Sequence, residues 1–244
     1  MSAVARYLFW TRKNLFLGSF LFLSGVAFGL KSVRAEPIFY FGALLGLGAA
    51  LAFVLAYLHN VHHFKISLGR GELGQLLLLP QGPTRVAWGT ALLGTALMSA
   101  VLLATAAVLV AGLYREVPSL LGDGTRVLLY LLGSLATAAG GIGALGSAVA
   151  VAYGGGRLAT VFSVLAMMGA MEIYWRLALH PELQRLPRVP VSDLGRIFLE
   201  LSPLGMGGLP AVSDLWPSTP LLLGPIFGVL GTWLAARILE EAEA

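Results

Sequence analysis

The chain has 244 residues, 57% of them hydrophobic and 11% charged, and a mean hydropathy of +0.83, where a soluble domain carries about 25% charged residues; it cannot cover its own surface in water and needs lipid around it. The absence of cysteine excludes disulfides, thiolate metal sites and cysteine nucleophiles. The excess of 16 Lys+Arg over 12 Asp+Glu sits in short loops beside apolar segments, which points to lipid headgroups and not to nucleic acid.

Barrel strands would alternate apolar and polar residues over about 10 positions. This sequence shows long unbroken apolar runs, so the expected fold is an all-α membrane protein, a single domain over residues 1–244. A helix needs about 20 apolar residues to cross the hydrocarbon. Before the first such run, Val4–Lys13 mixes Tyr7, Phe9 and Trp10 with Arg6, Arg12 and Lys13. That mixture suits either a helix lying in the interface or the polar start of the first span. No small-residue cleavage site follows, so a cleavable signal peptide is not expected.

Six spans are predicted. They cover roughly Leu15–Leu30, Ile38–Leu58, Val86–Leu113, Val127–Tyr153, Leu158–Leu179 and Leu221–Leu239. At the end of the second, His59, His62 and His63 share one helical face, a spacing that suits a metal or an anionic headgroup, with no carboxylate nearby to favour the metal. The connection that follows contains a short apolar stretch, about Gly71–Leu79, stopped by Pro80 and Pro83. It is too short to span and too apolar to float free, so it lies on the membrane face or against a partner.

Within the fourth span, Gly141-x-Gly143-x-x-Gly146 matches a dinucleotide fingerprint in letters only, with no strand before it. Gly140, Gly141, Gly143 and Gly146 are instead expected to bring helix backbones close together in lipid. In the fifth span stands its only acid, Glu172, with Arg176 one turn on. The two form either a local ion pair near the interface or a polar element of a translocation path. The proline-rich connection His180–Pro220 contains a short amphipathic stretch from Leu194 to Leu201, with Arg196 and Glu200 as an i,i+4 pair. No P-loop motif occurs, so any ATP-driven work would depend on another chain.

The Arg70–Pro80 stretch resembles the cytoplasmic loop of type-2 ATP-binding-cassette exporter permeases. Those carry a basic residue, a Gly-x-Leu-Glu-x-Leu-Leu run and a proline before the third of six spans. Here Arg70, Gly71, Leu73, Gln75, Leu76, Leu77 and Pro80 match, while Glu72 precedes the leucine and Gly74 takes the usual glutamate place. Ser202-Pro203-Leu204 resembles the segment that precedes the last span of that family, and the glutamine and leucine run is most similar to the haem-exporter B subunit of cytochrome c maturation.

The resemblance implies an N-terminal interfacial helix, six spans and a coupling helix at Arg70–Pro80, Glu72 included, that docks on a separate ATPase subunit. It implies a second permease chain, identical or related, and both termini on the cytoplasmic side of the inner membrane. ATP and magnesium would bind the partner ATPase, with no cofactor and no covalent chemistry in this chain. The alternatives are an ion-gradient-driven carrier or channel, which would want charged or broken helices near the midplane, and a membrane assembly scaffold.

Overall fold

A computed structural model describes residues 3–32, 82–113, 120–153, 157–190, 196, 200 and 215–243. Helix accounts for 89% of them, and among the described residues four helices are long and apolar enough to cross a membrane. The protein is therefore mostly helical and has the makings of a membrane bundle. The second predicted span and the Arg70–Pro80 stretch lie outside the described residues.

Helix α1 runs unbroken over Ala3–Ser32. No break separates the aromatic and basic start from the first predicted span, whose apolar part is Phe20–Gly29. Helix α2 covers Gly82–Leu113. Gly82 sits at a left-handed φ of +67°, which glycine adopts without the Cβ penalty, and Pro83 follows where a helix start has no use for its missing N–H.

Helix α3 (Leu120–Leu131) passes through a π-helical turn, Leu132–Ala136, into α4 (Thr137–Ala152). Around the turn, hydroxyls bond back to the chain. Ser134 donates to the Tyr130 carbonyl at 2.6 Å and Thr137 to the Gly133 carbonyl at 2.7 Å. Nothing in the letters Leu-Gly-Ser-Leu-Ala marks the extra residue, and the predicted span reads through it as one regular helix. Helix α5 (Arg157–Ala178) returns antiparallel to α4, and α6 (Thr219–Glu243) runs back alongside it. Pro225 inside α6 removes the N–H that the Leu221 carbonyl would otherwise accept.

Between α5 and α6 the chain is not wholly helical. Strands β1 (Arg188–Pro190) and β2 (Leu215–Pro217) pair antiparallel, with Val189 opposite Trp216. Their prolines hold the ladder to three residues each, as suits an edge pair. The sequence had this connection as irregular chain with one short helix. The Arg196–Glu200 pair predicted within it is present, Nε to Oε1 at 3.5 Å.

The α3–α4 helix is the centre of the bundle: 72% of its best spanning window is buried, against 22% for α5. Its core grades along its length. Towards the hairpin end it packs Leu131, Leu135 and Tyr130 with Met98, Leu102, Tyr174 and Trp216. Towards the other end small side chains take over, Ala144 and Ala148 against Val86, Ala87, Ala91 and Ala235. Apolar burial here is modest per residue, so close packing carries the association, as expected between helices in lipid.

Candidate functional site

Alpha-helices approach most closely where neither presents a side chain. At the contact of α4 with α6, glycine faces backbone on both sides. A Cβ on Gly141 would stand 2.5 Å from the Phe227 carbonyl oxygen and 2.6 Å from the Gly228 Cα. One on Gly231 would stand 2.6 Å from the Gly141 carbonyl, and one on Gly228 2.8 Å from the Thr137 carbonyl. Next to the π turn, a Cβ on Gly224 would meet the Gly133 carbonyl at 2.6 Å and Thr137 Oγ1 at 2.7 Å. No real Cβ sits so close to fixed backbone, so this crossing admits glycine only.

The four glycines singled out in the fourth span divide among neighbours. Gly141 faces α6 as described. Gly140 faces α2, where its Cβ would meet the Ala91 carbonyl at 2.5 Å. Gly146 faces α5 at Met167 and Ser163, and Gly143 is buried. Sequence reasoning missed the α6 side of the crossing, Gly224, Gly228 and Gly231. The signal was present as small residues spaced four and three apart in Gly224-x-x-x-Gly228-x-x-Gly231, but Pro225, Ile226 and Phe227 between them read as an ordinary apolar span.

Glu172 and Arg176 form an ion pair, Oε1 to Nε at 2.8 Å, with side chains 60% and 79% exposed. The pair lies on the outer surface of α5, away from α4. Arg70, Gly71, Glu72, Leu73, Gln75, Leu76, Leu77 and Pro80, and likewise His59, His62 and His63, lie outside the described residues. Among the described residues no group of three His, Asp or Glu side chains is placed to hold a metal ion.

Two polar fastenings mark the ends of the bundle. At the end where α2 begins, Glu240 accepts from the Thr84 hydroxyl at 3.1 Å with one oxygen and from Arg237 at 3.2 Å with the other. This clasps the first turn of α2 to the last turns of α6. At the opposite end the hairpin closes over the helices. Tyr130 donates to the Pro217 carbonyl at 2.6 Å, its ring meets Trp216 edge-on at 6.0 Å, and Thr219 Oγ1 donates to the Leu183 carbonyl at 3.0 Å. Trp216 is fully buried there.

Apart from the aromatic residues, the buried polar side chains among the described residues are Thr90, Ser134, Ser147, Ser163, Thr219 and Thr232, all hydroxyls and none charged. Such a set can satisfy backbone and bind water. It contains no acid–base pair. What the geometry offers is a central helix held backbone to backbone against α6 and tied at both ends by groups that break and re-form easily. Searches of family models, of curated proteins and of solved structures find no match to this chain.

Proposed function

We propose that this chain is the membrane-spanning permease subunit of a type-2 ATP-binding-cassette export system, moving its substrate at the expense of ATP hydrolysed on a partner chain. The observation that carries the reading is the Arg70–Pro80 stretch, with its basic residue, glycine, leucines and closing proline directly before a spanning helix. The start of that helix supports it: α2 begins two residues after Pro80, at Gly82, and its first turn is clasped to α6 through Thr84 and Glu240. A push on the segment before Gly82 has a short route into α6, and from α6 into α4 through the glycine crossing.

On this reading the clasped end faces the cytoplasm with both termini, and the hairpin caps the outer side of the inner membrane. Two permease chains, identical or related, and two ATPase chains make up the working unit. The subfamily of closest resemblance, the haem-exporter B subunit of cytochrome c maturation, makes haem the first substrate to try.

A gradient-driven carrier is the second reading. The π turn and Pro225 favour it, since carriers use interrupted helices near their sites. Against it stands the lack of any buried charge among the described residues to bind or relay an ion.

The test is purification of the chain from its native membrane in mild detergent, with identification of what accompanies it. A stoichiometric ATP-binding-cassette ATPase is expected, lost from the Glu72→Arg/Leu76→Arg double variant while the permease still folds. A chain that emerges without any ATPase in several detergents would overturn the proposal and favour the carrier.

A further inference from the structure

A helix in lipid closes its backbone bonds within itself, so a level at which two neighbouring helices both leave the regular ladder stands out. Here two such departures meet. In the central helix the π turn Leu132–Ala136 lies between α3 and α4. In α6, Pro225 leaves the Leu221 carbonyl without its N–H. Gly224, just before that proline, packs on the Gly133 and Ser134 carbonyls of the π turn. In return Leu221 Cδ2 stands 2.9 Å from where a Cβ of Gly133 would be.

The turn holds alternative partners at this contact. The Thr137 N–H reaches the Ser134 carbonyl, three residues back, where an α bond would run to Gly133 and a π bond to Leu132. The Thr137 hydroxyl lies 2.7 Å from the Gly133 carbonyl and 3.2 Å from that of Ser134. One side-chain donor is thus within reach of two backbone acceptors, and can pass between them as the bend changes.

Each side of this level is fastened to itself. On one side Tyr130 of α3 holds Pro217 and Trp216, the two strands pair, and Thr219 of α6 bonds to the Leu183 carbonyl. These contacts make one block of α3, the hairpin and the first turn of α6. On the other side the glycine crossing and the Thr84–Glu240 clasp join α4, the body of α6 and the start of α2. Helices α2 and α5 flank the level with Met98, Leu102 and Tyr174 in the same apolar cluster, a non-directional contact that tolerates small shifts.

We infer that the π turn and the Pro225 turn form one composite hinge, about which α3, the hairpin and the first turn of α6 swing together against α4 and the rest of α6. Prolines and π turns are where helices bend. A single interruption would bend one helix and pull Tyr130 away from the chain leading into α6. Two at one level bend both helices and keep the cap whole, with Gly133 and Gly224 at the contact. The cap then opens and closes the hairpin end of the bundle as a unit. The hinge requires neither an ATPase nor a bound ion, so it stands apart from both readings of function.

The chain has no cysteine, so pairs of spin labels can be placed at will in the full-length protein in lipid nanodiscs. Gly122→Cys stands in open space on α3, and Met168→Cys on the exposed face of α5, next to the residue that packs on Gly146 of α4. This pair crosses the hinge. Leu92→Cys on the exposed face of α2, paired with Met168→Cys, does not cross it. Gly122 lies about 15 Å beyond the π turn, so a bend of about 20° carries it about 5 Å. Pulsed electron paramagnetic resonance is expected to give the crossing pair a distance distribution several ångströms broader than the reference pair, or split in two. Pro225→Ala returns a partner to the Leu221 carbonyl and is expected to narrow it. A crossing pair no broader than the reference overturns the hinge, whether or not the alanine variant folds. Broadening that persists unchanged in folded Pro225→Ala protein also overturns it, because α6 then takes no part in the motion.

Discussion

Alanine at Gly228 or Gly141 is expected to destabilise the bundle by about 1–3 kcal/mol or more, because the new methyl meets carbonyl oxygens and Cα atoms that have no rotamer to move. Gly122 on α3 and Gly169 on α5 have nothing within 4 Å of the same position. Alanine there should stabilise the helix by about 0.5–1 kcal/mol. Thermal midpoints in detergent compare all four. The Glu172–Arg176 pair is largely exposed, so Glu172→Gln should shift the midpoint by under about 1 kcal/mol. If the permease proposal holds, a large loss of transport from that variant with an unmoved midpoint would assign Glu172 a role in the path. One half of the glycine crossing was legible in the sequence and the other was not. In α4 the small residues run together, and their common property stands out. In α6 they are separated by Ile226 and Phe227, and only the fold shows that Ile226 is exposed while Phe227 packs edge-on against Tyr174 of α5.

Among the described residues, Trp216 and Tyr130 fasten the hairpin cap to the helices. Trp216→Ala should cost about 3–5 kcal/mol, as for other fully buried tryptophans. Tyr130→Phe removes only the bond to Pro217, about 0.5–1.5 kcal/mol. Faster amide exchange confined to Arg188–Pro190 and Leu215–Pro217 would report the second without global unfolding. The long helices were readable from composition, since a run of about 20 apolar residues has few other fates. The predicted bounds of the third, fifth and sixth spans fall within a few residues of α2, α5 and α6, and the fourth ends with α4 but starts seven residues after α3 does. The π turn was not readable, because its extra residue is stabilised by hydroxyls and by α6 packing, not by any local breaker. Nor was the hairpin, whose strands of three residues come from distant parts of a proline-rich connection and are brought together by long-range contacts such as those of Tyr130 and Trp216.

At the scale of the whole bundle, α4 contacts α2, α5 and α6, whereas α5 turns most of its surface outward. Force applied at the start of α2 therefore reaches the centre by two routes, directly through Ala91 and Gly140, and through the Glu240 clasp and α6. Glu240→Ala should leave overall stability within about 1 kcal/mol, since the bonds it loses are exposed. It should still speed amide exchange in the first turns of α2. The pairing of α4 with α6 also has a consequence for synthesis. Helices enter a membrane in the order in which the ribosome makes them, and the partner that covers the glycine face of α4 is made well after it. Until α6 arrives, that backbone strip is open to lipid or to other nascent helices. A chain ended at Ser218 should be inserted but removed by membrane quality control, so the bundle becomes a lasting product only once the ribosome has delivered α6.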